Sequence, residues 1–274
     1  MNIEDIALKI RQEIFKTSVN AHTGHIAPVL SMAEIMAVIY FDNVLKYNPQ
    51  NPHWEERDFF ILSKGHACLA LYSTLALAGY FSVETLKTFA QKDSILGGHP
   101  NMNAVPGVEA STGSLGHGLS FAVGVAIAHK LDKVNNQIYV VMGDGECEEG
   151  SVWEGFMSAV HNKLDNLVVV IDHNKFQAMD TLESILSLRD FASKLKAFGF
   201  SVSDINGHDC TEIRQALLKR EKGKPRVVIA NTIKGKGISF MENKPLWHMR
   251  QPNNEEMKIA LNDLFLKESE VDFV

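Results

Sequence analysis

The chain has 274 residues, 45% of them apolar and 22% charged, with a formal net charge of −6. This is an ordinary soluble composition with material for one large α/β domain or two small ones. The acidic balance excludes a nucleic-acid or anionic-membrane binder, because no basic face is available to neutralise phosphates.

Ile3, Ile6, Ala7, Ile10 and Ile14 recur at helical spacing among acidic residues, so the N-terminus reads as an amphipathic helix and not as a secretory segment. Short runs at 59–62, 138–142, 167–171 and 226–230 are apolar on both faces, as strands of a covered parallel sheet are. Helical patterns at 67–78, 119–131, 152–163 and 184–198 fall between them, and 255–266 reads as a terminal helix before a frayed end. The alternation predicts a doubly wound, mostly parallel α/β sheet with helices on both faces. Residues 1–274 read as a single domain with a helical tail from about 252, without internal repeat or low-complexity linker. No apolar run approaches the roughly 20 residues of a membrane span. Cys68, Cys147 and Cys210 are too few and scattered for a disulfide framework or zinc cage. They read as reduced thiols, and the expected compartment is the cytoplasm.

The segments after the strands carry the chemistry. Run 59–62 leads into Ser63-Lys64-Gly65-His66, and 138–142 into Gly143-Asp144-Gly145. Run 167–171 leads into Asp172-His173-Asn174, and 226–230 into Asn231-Thr232-Ile233-Lys234-Gly235-Lys236-Gly237. Open α/β sheets bind ligands beyond the carboxyl ends of their strands, so these four segments should face one crevice. Gly-Asp-Gly alone is a common turn. Followed by Glu148-Glu149-Gly150, a helix, a strand and Asn174, it is a more specific pattern. A hydrated divalent cation on a diphosphate wants hard oxygen ligands in octahedral geometry. Asp144 offers a carboxylate, Asn174 an amide oxygen and Phe176 its backbone carbonyl. Gly143 and Gly145 let the backbone approach the diphosphate, and the following helix N-terminus favours the anion.

With its neighbours this pattern resembles the transketolase family. The matching segments are SKGHACLALYSTLALAGYF (63–81), GGHP (97–100), STGSLGHGLSFAVGVA (111–126), GDGECEEGSVWEGFMSAVHNKLDNLVVVIDHNK (143–175), INGHD (205–209) and NTIKGKG followed by WH (231–248), all in family order. The resemblance implies thiamine diphosphate and Mg²⁺ (or Ca²⁺ or Mn²⁺) as cofactors. It makes Asp144, Asn174 and the Phe176 carbonyl the metal ligands and Gly145 a diphosphate contact. Gly113 and Leu115 match the loop against the aminopyrimidine, and Glu149 matches a residue linking cofactor sites across a dimer. His25, His66, His99 and His248 match histidines around the reacting carbon and the sugar hydroxyls. Ketol transfer needs groups that donate and accept protons near neutrality, and His25, His66 and His99 each stand beside a glycine in a loop. Lys234 and Lys236 read either as diphosphate cations or as solvated loop residues. Gln177 is a candidate for the thiamine ring edge, and Trp153 with Phe156 reads as core or subunit interface.

The family's pyrimidine-binding and C-terminal regions are expected on a second subunit, most simply in an α₂β₂ assembly working on sugars or sugar phosphates. Ala27-Pro28, Met249 and Asp180 depart from the family pattern near the expected donor channel and put the substrate in question. Two alternatives stand beside this one: the α-subunit of a 2-oxo-acid dehydrogenase, which also carries GDG and Asn, and a non-catalytic assembly subunit.

Overall fold

The computed structural model describes residues 2–178 and 180–271. Helix α1 (Ile3–Asn20) starts at a reciprocal capping box, in which the Asn2 side chain accepts from the Asp5 N–H and the Asp5 carboxylate accepts from the Asn2 N–H. It buries Ala7, Ile10, Ile14, Phe15 and Val19. Short α2 (Ala27–Leu30) and buried α3 (Ala33–Phe41) follow. The chain then alternates: β1 (Phe59–Leu62), α4 (Cys68–Leu77), α5 (His117–Leu131), β2 (Ile138–Gly143), α6 (Gly150–His161) and β3 (Leu167–His173). After these come α7 (Leu182–Leu186), α8 (Phe191–Phe198), β4 (Ser201–Asn206), α9 (Cys210–Leu218), β5 (Arg226–Asn231) and α10 (Asn254–Asp263).

The five strands form one sheet in the order β1-β2-β3-β5-β4, every pairing parallel. The predicted α/β class is therefore the observed one. The strands that read as uniformly apolar alternate between two cores, as the period of 2 requires. Tyr139, Val141, Val168, Val170 and Val228 face α1, α3, α4, α9 and α10. Ile138, Val140, Met142, Val169, Ile171, Val227 and Ile229 face α5, α6 and α8. The C-terminal stretch packs on the first of these layers, where Met257, Ala260, Leu261 and Leu264 join the side chains of α1.

Two sequence expectations differ from the fold. The pattern at 184–198 is not one helix: α7 ends at Leu186, and Asp190 starts α8 by accepting from the Ser193 N–H. Strand β4 escaped the reading because Ser-Val-Ser-Asp-Ile-Asn lies at the sheet edge, half exposed, and lacks an apolar run.

Helix α5 approaches the end of β1 closely. A Cβ at Gly118 would collide with the Ser63 hydroxyl oxygen and stand 2.8 Å from the Ser63 Cα, whereas a Cβ at Gly124 on the same helix meets open space. Gly118→Ala should therefore lower stability by about 1–3 kcal/mol through overpacking. Gly124→Ala should raise it by up to about 1 kcal/mol through helix propensity. Urea unfolding of the two variants checks this, and equal midpoints would show that helix and strand are not in register here.

Candidate active site

The carboxyl ends of the strands converge as the sequence predicts, and a buried ion pair lies beneath them. The Lys64 ammonium meets the Asp172 carboxylate at 2.7 Å, with the two side chains 1% and 0% exposed. Lys64 also donates to the Pro28 carbonyl at 2.9 Å. Asp172 accepts from Ser31 Oγ at 2.7 Å, from the Thr232 hydroxyl and from Asn174 Nδ2 at 3.4 Å. Sequence reasoning gives neither Lys64 nor Asp172 a role of its own. The available signals were a charged residue inside the apolar run ending β3 and a lysine just after β1.

Asp144 follows the last residue of β2 and is buried. Its carboxylate accepts from the backbone N–H of Gly145 at 2.9 Å and of Lys175 at 2.6 Å, which brings it against the Asn174–Phe176 turn. The Asn174 amide oxygen accepts from the Phe176 N–H at 3.1 Å, and its amide nitrogen is turned to Asp172. Burial and the nearby Asp172 charge push the Asp144 carboxyl up to about 7. A divalent cation would offset both influences by stabilising the ionised carboxylate, so an acid, an amide oxygen and the Phe176 carbonyl fit a hard metal ion. Among the described residues no group of three or more His, Cys, Asp or Glu side chains is arranged to hold a metal. The fit is to a cation that takes its remaining oxygens from a phosphate ligand.

Three histidines form a second cluster, joined to this turn through Lys234. His25 follows Gly24 in the loop after α1, His66 occupies the turn Gly65–Ala67 between β1 and α4, and His248 ends the turn Pro245–His248. Their rings lie 5.3 Å (His25–His66), 5.1 Å (His25–His248) and 5.8 Å (His66–His248) apart. Trp247 anchors the last turn: it is buried, packs on Phe240 and carries the Arg250 guanidinium over its ring at 4.2 Å. His99 sits in a loop held by α4, whose Tyr72 hydroxyl donates to the carbonyls of Gly97 and His99 and whose Cys68 Sγ lies 3.2 Å from the Gly98 carbonyl. The His99 ring lies against Gly113, where a Cβ would come within 3.0 Å of it. Gly113 in turn crowds Gly65, which leaves no room for a side chain there.

Burial, the Lys64 charge and the neighbouring histidines push His66 down to about 2. Burial, then Lys234, His25 and Lys64, push His248 down to about 4, and burial with His99, Lys64 and Lys234 lowers His25. These imidazoles are neutral at physiological pH, and each offers one hydrogen-bond donor and one acceptor nitrogen. Lys234 joins the two halves of the site. Fully buried, it donates to the Gln177 carbonyl at 2.8 Å, lies 3.4 Å from His248 Nδ1 and stands 5.7 Å from the Phe176 ring centre. Burial and Lys64 push its ammonium down to about 8. The solvated-loop alternative for Lys234 is thus removed, whereas Lys236 is part-exposed near Glu242 at 3.6 Å. Gln177 lies over Gly145, where a Cβ would come within 2.9 Å of its Cγ, and donates to Glu148 at 2.6 Å. Leu115 and Glu149 are exposed. Trp153 packs with Phe156, Phe191 and Phe198 against the core. His208 bridges the buried Glu34 carboxylate to the Ile233 N–H, a structural role.

A parallel α/β sheet with an acid–amide turn, a buried lysine and neutral histidines at its carboxyl edge defines a domain for a diphosphate-bearing cofactor in proton-transfer chemistry. Residues 4–268 match the family described as transketolase, thiamine diphosphate binding domain. The chain is 43% identical over 243 residues, 88% of each chain, to the 6-deoxy-6-sulfo-D-fructose transketolase subunit SqwG of Clostridium sp. (strain MSTE9). It is 43% identical over 264 residues, 96% of this chain and 95% of the relative, to an apulose-4-phosphate transketolase subunit of Actinobacillus succinogenes. The crystal structure of transketolase from Campylobacter jejuni superposes with a TM-score of 0.91 at 34% identity over 97% of this chain, which spans 44% of that one. The chain belongs to the transketolase family and corresponds to its thiamine-diphosphate-binding part.

The depressed histidines set a pH window. Unfolded imidazoles titrate near 6.5, whereas folded His66 and His248 stay neutral to about 2 and about 4. Below pH 6.5 the unfolded state therefore binds more protons, and stability should fall as pH drops from about 6.5 toward 4. Melting temperatures of wild type and His66→Asn between pH 7.5 and 5 test this. The variant should show the shallower decline, and parallel curves would mean that His66 titrates normally in the fold.

Proposed function

We propose that this chain is the diphosphate- and Mg²⁺-binding subunit of a two-chain transketolase that moves a two-carbon ketol unit from a ketose or ketose phosphate to an aldose or aldose phosphate. One observation carries the reading: a neutral three-histidine cluster is joined through buried Lys234 to the segment that follows Asn174 and packs on Asp144, in a chain whose similarly sized relatives are named as transketolase subunits. The dehydrogenase alternative has no comparable support from these relatives. Asp144, the Asn174 amide oxygen and the Phe176 carbonyl would hold the metal, with Gly143, Gly145 and Lys234 on the diphosphate. Gly113 and Leu115 would lie against the aminopyrimidine. Thiamine diphosphate, when bound, supplies the carbon nucleophile and the electron sink. His66 and His248 take and return protons at the substrate hydroxyls, and His25 and His99 line the same approach.

A partner subunit is supported by an exposed groove that continues from the cofactor loop. It has a volume of about 470 Å³ and is lined by Thr112, Gly113, Ser114, His117, Gly118 and Phe121. Phe121 is 43% exposed, and Met157 on the packed helix α6 is 55% exposed. Exposed apolar groups beside an incomplete site are what a docking subunit covers. An α₂β₂ assembly would place two sites at the interfaces.

Two measurements test the reading. Purified alone and supplied with thiamine diphosphate and Mg²⁺, the chain should not cleave a ketose donor. Addition of the partner subunit should bring turnover to on the order of 1 s⁻¹ or above. Comparable turnover by the single chain would overturn the division of labour. Asp144→Ala should abolish Mg²⁺-dependent cofactor retention by the assembled enzyme, and Asn174→Ala should weaken it less. Calorimetry giving wild-type affinity for Asp144→Ala would remove the metal assignment.

A further inference from the structure

Glu146 lies outside every role described so far, yet its carboxylate joins three segments of the site. It is 3% exposed. One oxygen accepts from the Ser63 hydroxyl, at the end of β1, and from the Gly116 N–H at 2.8 Å. The other accepts from the Gly143 N–H at 3.1 Å, at the end of β2. All three donors are neutral. A carboxylate buried on neutral donors is costly to desolvate, and its geometric consequence is specific. Gly116 is the N-cap of α5, with φ of +83° and no side chain to cap the helix, so the Glu146 charge sits at the positive end of that helix. A Cβ at Gly116 would also stand 2.6 Å from the Ser151 hydroxyl and 2.8 Å from Glu149 Cβ, so the loop cannot shift toward α6.

The other end of the same loop is fixed by Thr112, whose hydroxyl donates to the Leu62 carbonyl at 2.6 Å. Between these two anchors Gly113 and Ser114 line the groove, and Ser114 and Leu115 are exposed. One anchor belongs to β1. The other is a side chain only two residues beyond Asp144, in the turn Gly145–Glu148.

We propose that Glu146 is a positioning residue that holds the 112–116 loop at a set distance from the Gly143-Asp144-Gly145 turn, and so aligns the grip on the organic end of thiamine diphosphate with the grip on its diphosphate. The inference rests on the cofactor reading above. It predicts a split between two ligands that share only the diphosphate.

The experiment is calorimetry on the assembled enzyme with Mg²⁺, titrating thiamine diphosphate and, separately, inorganic diphosphate into wild type, Glu146→Gln and Glu146→Ala. Glu146→Ala should lose about tenfold in affinity for thiamine diphosphate, the scale of one lost buried charged hydrogen bond. Its affinity for inorganic diphosphate should change by less than about twofold. Glu146→Gln keeps the shape and one acceptor oxygen but sets an amide N–H against a donor, so it should fall between the two. Should Glu146→Ala fail to assemble, Glu146→Gln and Ser63→Ala carry the same comparison. Equal loss for both ligands would assign Glu146 a general structural role and overturn the proposal, as would wild-type affinity for both. A wild-type enzyme that binds inorganic diphosphate but shows no preference for thiamine diphosphate would instead bring down the cofactor reading, and this inference with it.

Discussion

Lys64 and Asp172 are separated by 108 residues, yet their charges meet at 2.7 Å with almost no exposure. An ion pair that deep holds only if its remaining hydrogen-bonding capacity is filled, because desolvation otherwise outweighs the attraction. Filling it recruits the rest of the site: the Pro28 carbonyl in α2, Ser31 after it, Thr232 after β5 and Asn174 after β3. Burial works against the charge of Asp172. Lys64 and the hydroxyls of Thr232 and Ser31 outweigh it, and the carboxyl stays below its usual range. Four elements distant in sequence are thereby brought to one point. The orientation of the Asn174 amide follows from its nitrogen being turned to Asp172.

The same pair divides the electrostatics of the crevice. On one side Asp172 adds to burial in making the Asp144 carboxylate harder to ionise. On its histidine side the Lys64 charge helps keep His25, His66 and His248 neutral. Without Lys64, one of the charges that disfavours their cationic forms would be lost. Lys234 repeats the arrangement, its own buried ammonium facing His248 and the Gln177 carbonyl. The neutral histidines are thus a joint product of their own burial and of the buried lysines beside them.

The loops are assembled by close backbone approach as much as by charge. Gly65 against Gly113, Gly118 against Ser63 and Gly145 against Gln177 each leave no room for a Cβ. These contacts stack the segments after β1, before α5 and after β2 and β3 into one wall. The opposite side of the 112–116 loop stays open to the groove at Phe121. The crevice is thus walled on one side and open on the other.

Sequence alone determined the fold class, the apolar strands, the placing of the Gly-Asp-Gly turn and Asn174 at strand ends, and the glycine-flanked histidines in loops. Those features are local: apolar periodicity, turn glycines and the direction of a parallel sheet are written within a few residues of each other. The resemblance to the transketolase family, read on the same segments, agrees with the family match and the relatives. The edge strand β4 was not legible, because a half-exposed strand needs no apolar run. The break between α7 and α8 was missed because an apolar helical pattern continues across it, while the Asp190 cap interrupts the backbone. Only the tertiary structure decided that Lys64 pairs with Asp172, that Glu146 bonds Ser63 and Gly116, and that Lys234 is buried beside His248. Each joins residues 14 to 108 positions apart, and burial converts otherwise ordinary polar residues into groups that set charge and geometry.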